Sequence, residues 1–214
     1  MNAEPSAAGL NRRQFLRAGG VAAVAVTALG SVGLVAASAG AATSDTRPPQ
    51  PPSRRDLETA ALAVGLEIVA VGAYQAALDA ATAGSLGKVP PAGATYVKTA
   101  MAHHQAHRDG WNALLRGARA PVVTAPNAAL QRTVEQRLAQ MKSFRAAALL
   151  ARDLEETAAA TYLAAIPTLV SKDAIGLAGS IQVVDMQHIA ILNFVLGDYP
   201  VPDVFATTTN AADA

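Results

Sequence analysis

The chain has 214 residues, a formal net charge of +1 and no cysteine, which excludes disulfides, thiolate metal ligands and a lipid-modified cysteine. Arg12, Arg13, Arg17 and Glu4 give the first 42 residues a balance of +2, so the rest carries about −1. That near-neutral remainder offers no field for nucleic acid, and its length suits one domain with a substantial core.

The first element is a leader. Asn11-Arg12-Arg13-Gln14-Phe15-Leu16-Arg17 precedes an uncharged stretch, residues 18–43, rich in Ala, Gly and Val. The motif resembles a twin-arginine (Tat) signal: two arginines, one further residue, then Phe-Leu and a base. Small-residue cleavage sites occur at Ala37-Ser38-Ala39 and Ala39-Gly40-Ala41. Residues 1–42 are therefore expected to be a Tat signal peptide, with the Tat export machinery as partner. The expected destination is periplasmic, extracellular or cell-envelope, with no membrane association after cleavage. A retained transmembrane anchor is the alternative, because the stretch exceeds the length of a membrane span. Residues 43–53 form a proline-rich linker with no capacity to build a core.

Four long helices are expected next. The first starts near Ser53, a plausible cap, and stops before Gly84 and Gly87. Its apolar residues Leu62, Leu66, Val69, Tyr74 and Leu78 recur at helical spacing. Pro90-Pro91-Ala92-Gly93 reads as a loop, and a second helix covers residues 95–116. Asn127 caps a short helix reaching about Met141, and Ser143 begins the third long helix, which Pro167 bends or ends. The fourth spans residues 172–196, between Ser171 and Gly197. The connection between the second and third long helices is long enough to cross a bundle. The domain is set at 54–205, with a disordered tail at 206–214.

Chemistry concentrates in a quiet internal repeat. Leu66-Glu67 is followed by Tyr74, and Leu154-Glu155 by Tyr162, with six residues between Glu and Tyr each time. His104-Gln-Ala-His107 and Asp185-Met-Gln-His188 each place two metal-capable residues three apart, hence on one helix face. Glu67 lies among Leu66, Ile68 and Val69, where an unpaired carboxylate would cost several kcal/mol, and metal coordination offers a compensation. The chain's four histidines, His103, His104, His107 and His188, all fall in these motif segments.

Together these motifs resemble the ferritin-like superfamily, and more closely its exported bacterial members akin to desiccation-related proteins. Residues 66–78, 101–115, 154–163 and 183–205 carry the resemblance. It implies an all-α, antiparallel four-helix bundle with one long crossover connection. It also implies a metal site of Glu67, His104, His107, Glu155, Asp185 and His188. His104 and Asp185 stand where that superfamily places two glutamates that commonly bridge a metal pair. Histidine cannot bridge in that way, and aspartate is one methylene shorter. The ion expected is iron, with Mn, Zn or Cu as alternatives, as one or two ions.

Blander readings exist for each residue. Glu67 and Glu155 could be surface carboxylates, His104 and His107 an exposed polar face, and Asp185–His188 a hydrogen-bonded core pair. His103 competes with His104 for the site, and His104 is preferred because it aligns with Asp185. Tyr74, Tyr162 and Trp111 are read as packing residues. The expected function is an extracytoplasmic metal-binding protein that performs iron or peroxide redox chemistry or holds metal. The alternative is a non-enzymatic envelope stress or structural protein that has lost the metal. An Ala-rich bundle can also form a homodimer.

Overall fold

The computed structural model describes residues 50–212, so the expected signal peptide and most of the linker lie outside the described residues. Ser53 opens the first helix, α1 (Arg54–Thr82), through a capping box. Its hydroxyl accepts from the Asp56 amide at 3.1 Å, and the Asp56 carboxylate accepts from the Ser53 amide at 2.6 Å. Past its end, Gly84 and Gly87 take the positive φ angles (74° and 72°) that turn the chain.

The second helix, α2 (Pro91–Gly117), begins four residues before the expected Thr95. The Pro-Pro-Ala-Gly segment reads as a loop in sequence. However, a proline at the first helical position gives up only an amide that would lack a partner anyway. Gly93 is buried, and a Cβ there would come within 3.0 Å of the Phe144 ring.

The short helix α3 (Ala128–Ala139) is capped by Asn127, whose side-chain oxygen accepts from Ala129 and Leu130 at 3.1 and 3.0 Å. The fourth, α4 (Phe144–Ala165), is capped by Ser143 and gives way at Ile166–Thr168 to a 3₁₀ turn containing Pro167. The fifth, α5 (Lys172–Leu196), runs from Ser171 to Gly197, which is left-handed at φ 88°.

No strand occurs among the described residues, and the architecture is an all-α bundle of five helices rather than four. The fifth is α3, the short helix expected after Asn127, which lies within the connection from α2 to α4. Helices α1 and α2 pack extensively as one pair and α4 and α5 as another, and α1 meets α4 while α2 meets α5. The α2–α4 connection docks on α1 where the Asn127 amide donates to the Gly65 carbonyl at 3.0 Å. It ends beside the α1–α2 turn, where the Phe144 amide donates to the Leu86 carbonyl at 3.0 Å.

Two apolar clusters form the core. Ala60, Val64, Trp111, Leu115, Ala178 and Ile181 belong to one, and Val69, Ala73, Val134, Leu150 and Leu154 to the other. Glu67 and Glu155 fall between them along α1 and α4. The C-terminal segment, expected to be disordered, makes contacts as far as Ala212, whose amide donates to the Thr161 hydroxyl at 2.9 Å.

Candidate metal centre

Each pair of helices contributes half of a buried polar cluster. Glu67 comes from α1, His104 and His107 from α2, Glu155 from α4, and Asp185 and His188 from α5. Glu67 is 1% exposed, and Glu155 and Asp185 are fully buried, which dismisses the surface-carboxylate reading. His104 and His188 are buried as well. His107 is mostly enclosed.

His104 stands at the centre. Its Nδ1 lies 2.6 Å from Glu67 Oε2 and its Nε2 lies 3.0 Å from Glu155 Oε1. Burial disfavours the charged ring, but the charges and hydrogen bonds of Glu155 and Glu67 prevail and hold His104 well above the ordinary histidine range. The carboxylates respond in the opposite sense. Burial opposes ionisation of Glu155, yet the His104 charge and hydrogen bond bring it down to about 2. Glu67 is likewise lowered against its own burial, chiefly by His104.

The Glu–Tyr repeat resolves into a reciprocal cross. The Tyr162 hydroxyl donates to Glu67 Oε1 at 2.5 Å, and the Tyr74 hydroxyl donates to Glu155 Oε1 at 2.5 Å. Each tyrosine thus serves the other half's glutamate, which requires α1 and α4 to run antiparallel here. Burial, followed by the adjacent carboxylate, raises both phenols well above their usual range. Each hydroxyl has a further partner: Trp111 Nε1 donates to Tyr162 at 3.1 Å, and Tyr96 meets Tyr74 at 2.9 Å. Tyr74, Tyr162 and Trp111 are packing residues, as their spacing indicated, and hydrogen-bonding residues too. Tyr96 was not singled out in the sequence, because it sits where a loop-to-helix boundary was expected.

Several donor atoms are left over. Both Asp185 oxygens, Glu155 Oε2, His107 Nδ1 and His188 Nδ1 are buried without a hydrogen-bond partner. His188 Nδ1 approaches Glu155 Oε2 to 3.2 Å without hydrogen-bond alignment. His107 Nδ1 is 3.7 Å from Glu67 and 3.9 Å from Asp185, too far for hydrogen bonds. Asp185 and His188 are therefore not the hydrogen-bonded core pair considered above. Burial and the neighbouring Glu155 and Glu67 push the Asp185 carboxyl well above its ordinary value.

These donors converge. His104, Glu155, Asp185 and His188 each offer a ligand atom within 4.8 Å of the others, and so do Glu67, His104 and His107. Buried polar atoms are rarely left unpaired, and a set of carboxylate oxygens and imidazole nitrogens suits a divalent transition metal. The residues present therefore fit an ion. His103 lies on the rim, its Nδ1 3.0 Å from His188 Nε2 and its ring stacked on His188 at 5.2 Å. That contact leaves His188 Nδ1 as the nitrogen that faces the cluster.

The sequence model of one family, described as a ferritin-like domain, matches residues 52–198, a span that takes in every described helix. No curated protein and no solved structure matches the chain.

Proposed function

Because the chain belongs to the ferritin-like domain family, we propose that the buried cluster is a resident metal site in an exported protein. The observation that carries the proposal is the group of orphaned donor atoms on Asp185, Glu155, His107 and His188. Asp185, Glu155 and His188 would hold one ion, and Glu67 and His107 a second, with His104 between the two groups. The helices form, in this reading, an antiparallel four-helix bundle with α3 carried in its crossover. Iron is the first choice of ion, with Mn, Zn or Cu as alternatives, and a redox-active ion would supply one-electron chemistry. The twin-arginine motif supports Tat export to the periplasm or cell envelope, in the manner of desiccation-related proteins. A route that carries folded proteins also accommodates an ion loaded before export.

This chain's own residues have definable tasks. Tyr162 and Tyr74 fix one oxygen of each glutamate, which leaves the other to turn toward the cluster. The stacked His103 orients His188, as partners of metal-binding histidines do. The two apolar clusters keep water from the polar group and strengthen every charge interaction inside it.

A second reading is favoured by His104. A protonated imidazole between Glu67 and Glu155 already supplies the positive charge an ion would bring. On that reading the protein is a non-enzymatic envelope or stress protein that keeps the fold without the metal. Melting curves separate the two. Binding confined to the folded state raises stability by about 2.7 kcal/mol at a hundredfold excess over Kd. The metal reading predicts that Fe(II) or Mn(II) raises Tm and that Glu67→Ala with His188→Ala removes the effect. A Tm indifferent to both metal and chelator selects the second reading.

A further inference from the structure

Residues 174–196 of α5 include no Lys, Arg or Glu and a single Asp, Asp185, which is buried in the polar cluster. The side of α5 turned to solvent therefore lacks charge for about six turns. Other helices expose charge as surface helices do: α2 presents Lys98 and Asp109, and α3 presents Arg132 and Glu135. An uncharged, largely apolar face of that length marks a surface that something covers.

The face is ordered. Gly176, Ser180, Val183, Gln187, Ala190 and Phe194 follow at alternating steps of four and three, the repeat that keeps one stripe of a helix against a partner helix. Ala190 is half-buried and the other five are exposed. Size is graded along the stripe, from Gly176 and Ser180 at one end to Phe194, 73% exposed, at the other. A Cβ on Gly176 would meet nothing within 4 Å. Gly176 and Ser180 also line a groove to which α2 contributes Gly110, Ala113 and Gly117. The stripe thus begins in a recess of small residues and ends in a projecting ring.

We propose that this face pairs with the same face of a second copy, the two α5 helices running antiparallel about a two-fold axis level with Asp185. That register sets Phe194 on the partner's Gly176, Ala190 on the partner's Ser180 and Val183 on the partner's Gln187, and the symmetry repeats each contact. The largest side chain of the stripe then meets its only glycine. A parallel pair would set Phe194 against Phe194 and leave two Gly176 positions facing across a gap, and close packing tolerates neither. A lipid surface would accept a stripe of uniform size equally well, so the grading favours a helix as occupant. The area also suffices. The α5 strip measures ~37 Å by ~10 Å, roughly 370 Å². The C-terminal segment runs along its flank, held where Asn193 donates to the Pro200 carbonyl at 3.2 Å. Exposed Tyr199, Val204 and Phe205 in that segment add roughly 400 Å². A standard interface takes ~800 Å² from each partner. The inference stands apart from the metal reading, since none of the six stripe residues is a candidate ligand.

Sedimentation velocity of the full chain over a dilution series should give twice the chain mass. Phe194→Ala should weaken the dimer at least about tenfold, as truncation of an anchoring aromatic does. Gly176→Phe should do the same without disturbing the fold, since its Cβ has open space. Joining the two substitutions in one chain exchanges the sizes and should restore the dimer. Because the chain has no cysteine, cross-linking reads the register directly. Oxidising a mixture of Ser180→Cys and Ala190→Cys chains should give a disulfide-linked pair. Neither variant alone should cross-link, because its two thiols lie about 15 Å apart along the axis. A monomer at every concentration would overturn the proposal, including one that binds phosphatidylcholine vesicles through Phe194, which would assign the face to lipid. So would a dimer indifferent to Phe194→Ala and Gly176→Phe, or one in which either cysteine variant cross-links to itself. The cysteine pair decides the register even if the bulky variants fail to fold.

Discussion

Asp185 is the residue on which the account turns. Its carboxyl is fully buried, faces two other carboxylates and has no hydrogen-bond donor. Such a group destabilises a protein unless something positive meets it. Asp185→Asn should therefore act in opposite directions in two preparations. In chelator-treated protein it should raise stability by about 1 kcal/mol, because it removes an unpaired acid. In metal-loaded protein it should lower Tm by weakening the site. Urea denaturation with and without chelator checks both signs, and the same shift in both would count against an ion at Asp185. The tyrosines make a simpler case. Tyr74→Phe and Tyr162→Phe each remove one hydrogen bond to a buried carboxylate, so each should cost about 1.5–3 kcal/mol in the same assay. Two values near zero would mean that the reciprocal cross contributes nothing to stability. The repeat of Glu and Tyr was legible in the sequence. Its cross-pairing was not, because a spacing within one helix does not reveal which helix it will face or in what direction.

At the scale of elements, Asp56 connects two helix starts. It closes the capping box of α1, and its other oxygen accepts from the Val170 amide at 3.0 Å, just ahead of α5. Burial opposes its ionisation, but hydrogen bonds from Ser53, Val170 and Ser171 hold it below the ordinary carboxylate range. Its stabilisation is thus present above the unfolded value of about 3.9 and is lost as pH falls through the lower folded value. Asp56→Ala should cost about 2–3 kcal/mol near neutral pH. Urea titrations from pH 7 down to about pH 2 should show the gap between wild type and variant closing. A constant gap would assign the loss to packing alone.

Glycines in α1 offer a paired test. Gly72 is exposed with open space around it, so Gly72→Ala should stabilise by about 0.5–1 kcal/mol. At Gly65 a Cβ would lie 3.1 Å from the Asn127 amide nitrogen, and Gly65→Ala should destabilise by about 1 kcal/mol despite the better helix propensity. Thermal melts of the two variants check the opposite signs. The caps at Ser53, Asn127, Ser143 and Ser171 were readable because each acts over three residues. The start of α2 was not, because Pro91 and Gly93 read as loop residues until the buried contact with Phe144 is known. The role of Gly65 was equally hidden, since it depends on a partner 62 positions away in the chain.

Across the whole molecule, two helix pairs enclose a band of charge between two apolar clusters. A chain with only 15% charged residues places three carboxylates and three imidazoles in that band. The His104–His107 and Asp185–His188 segments could be picked out because all four histidines sit in them, and Glu67 and Glu155 because each precedes a Tyr at the same spacing; the structure brings all six together. The central position of His104 was less readable. The resemblance to the ferritin-like superfamily put it where a bridging glutamate is expected, whereas the fold reveals an imidazole clamped by a carboxylate on each side. In the proposed function, an ion completes this band. The most direct measurement is elemental analysis of the protein purified from its own compartment rather than from an overexpressing host. At least about one transition-metal ion per chain is expected, lost in Glu67→Ala with His188→Ala. Metal far below one ion per chain, and unchanged by that double substitution, would contradict it.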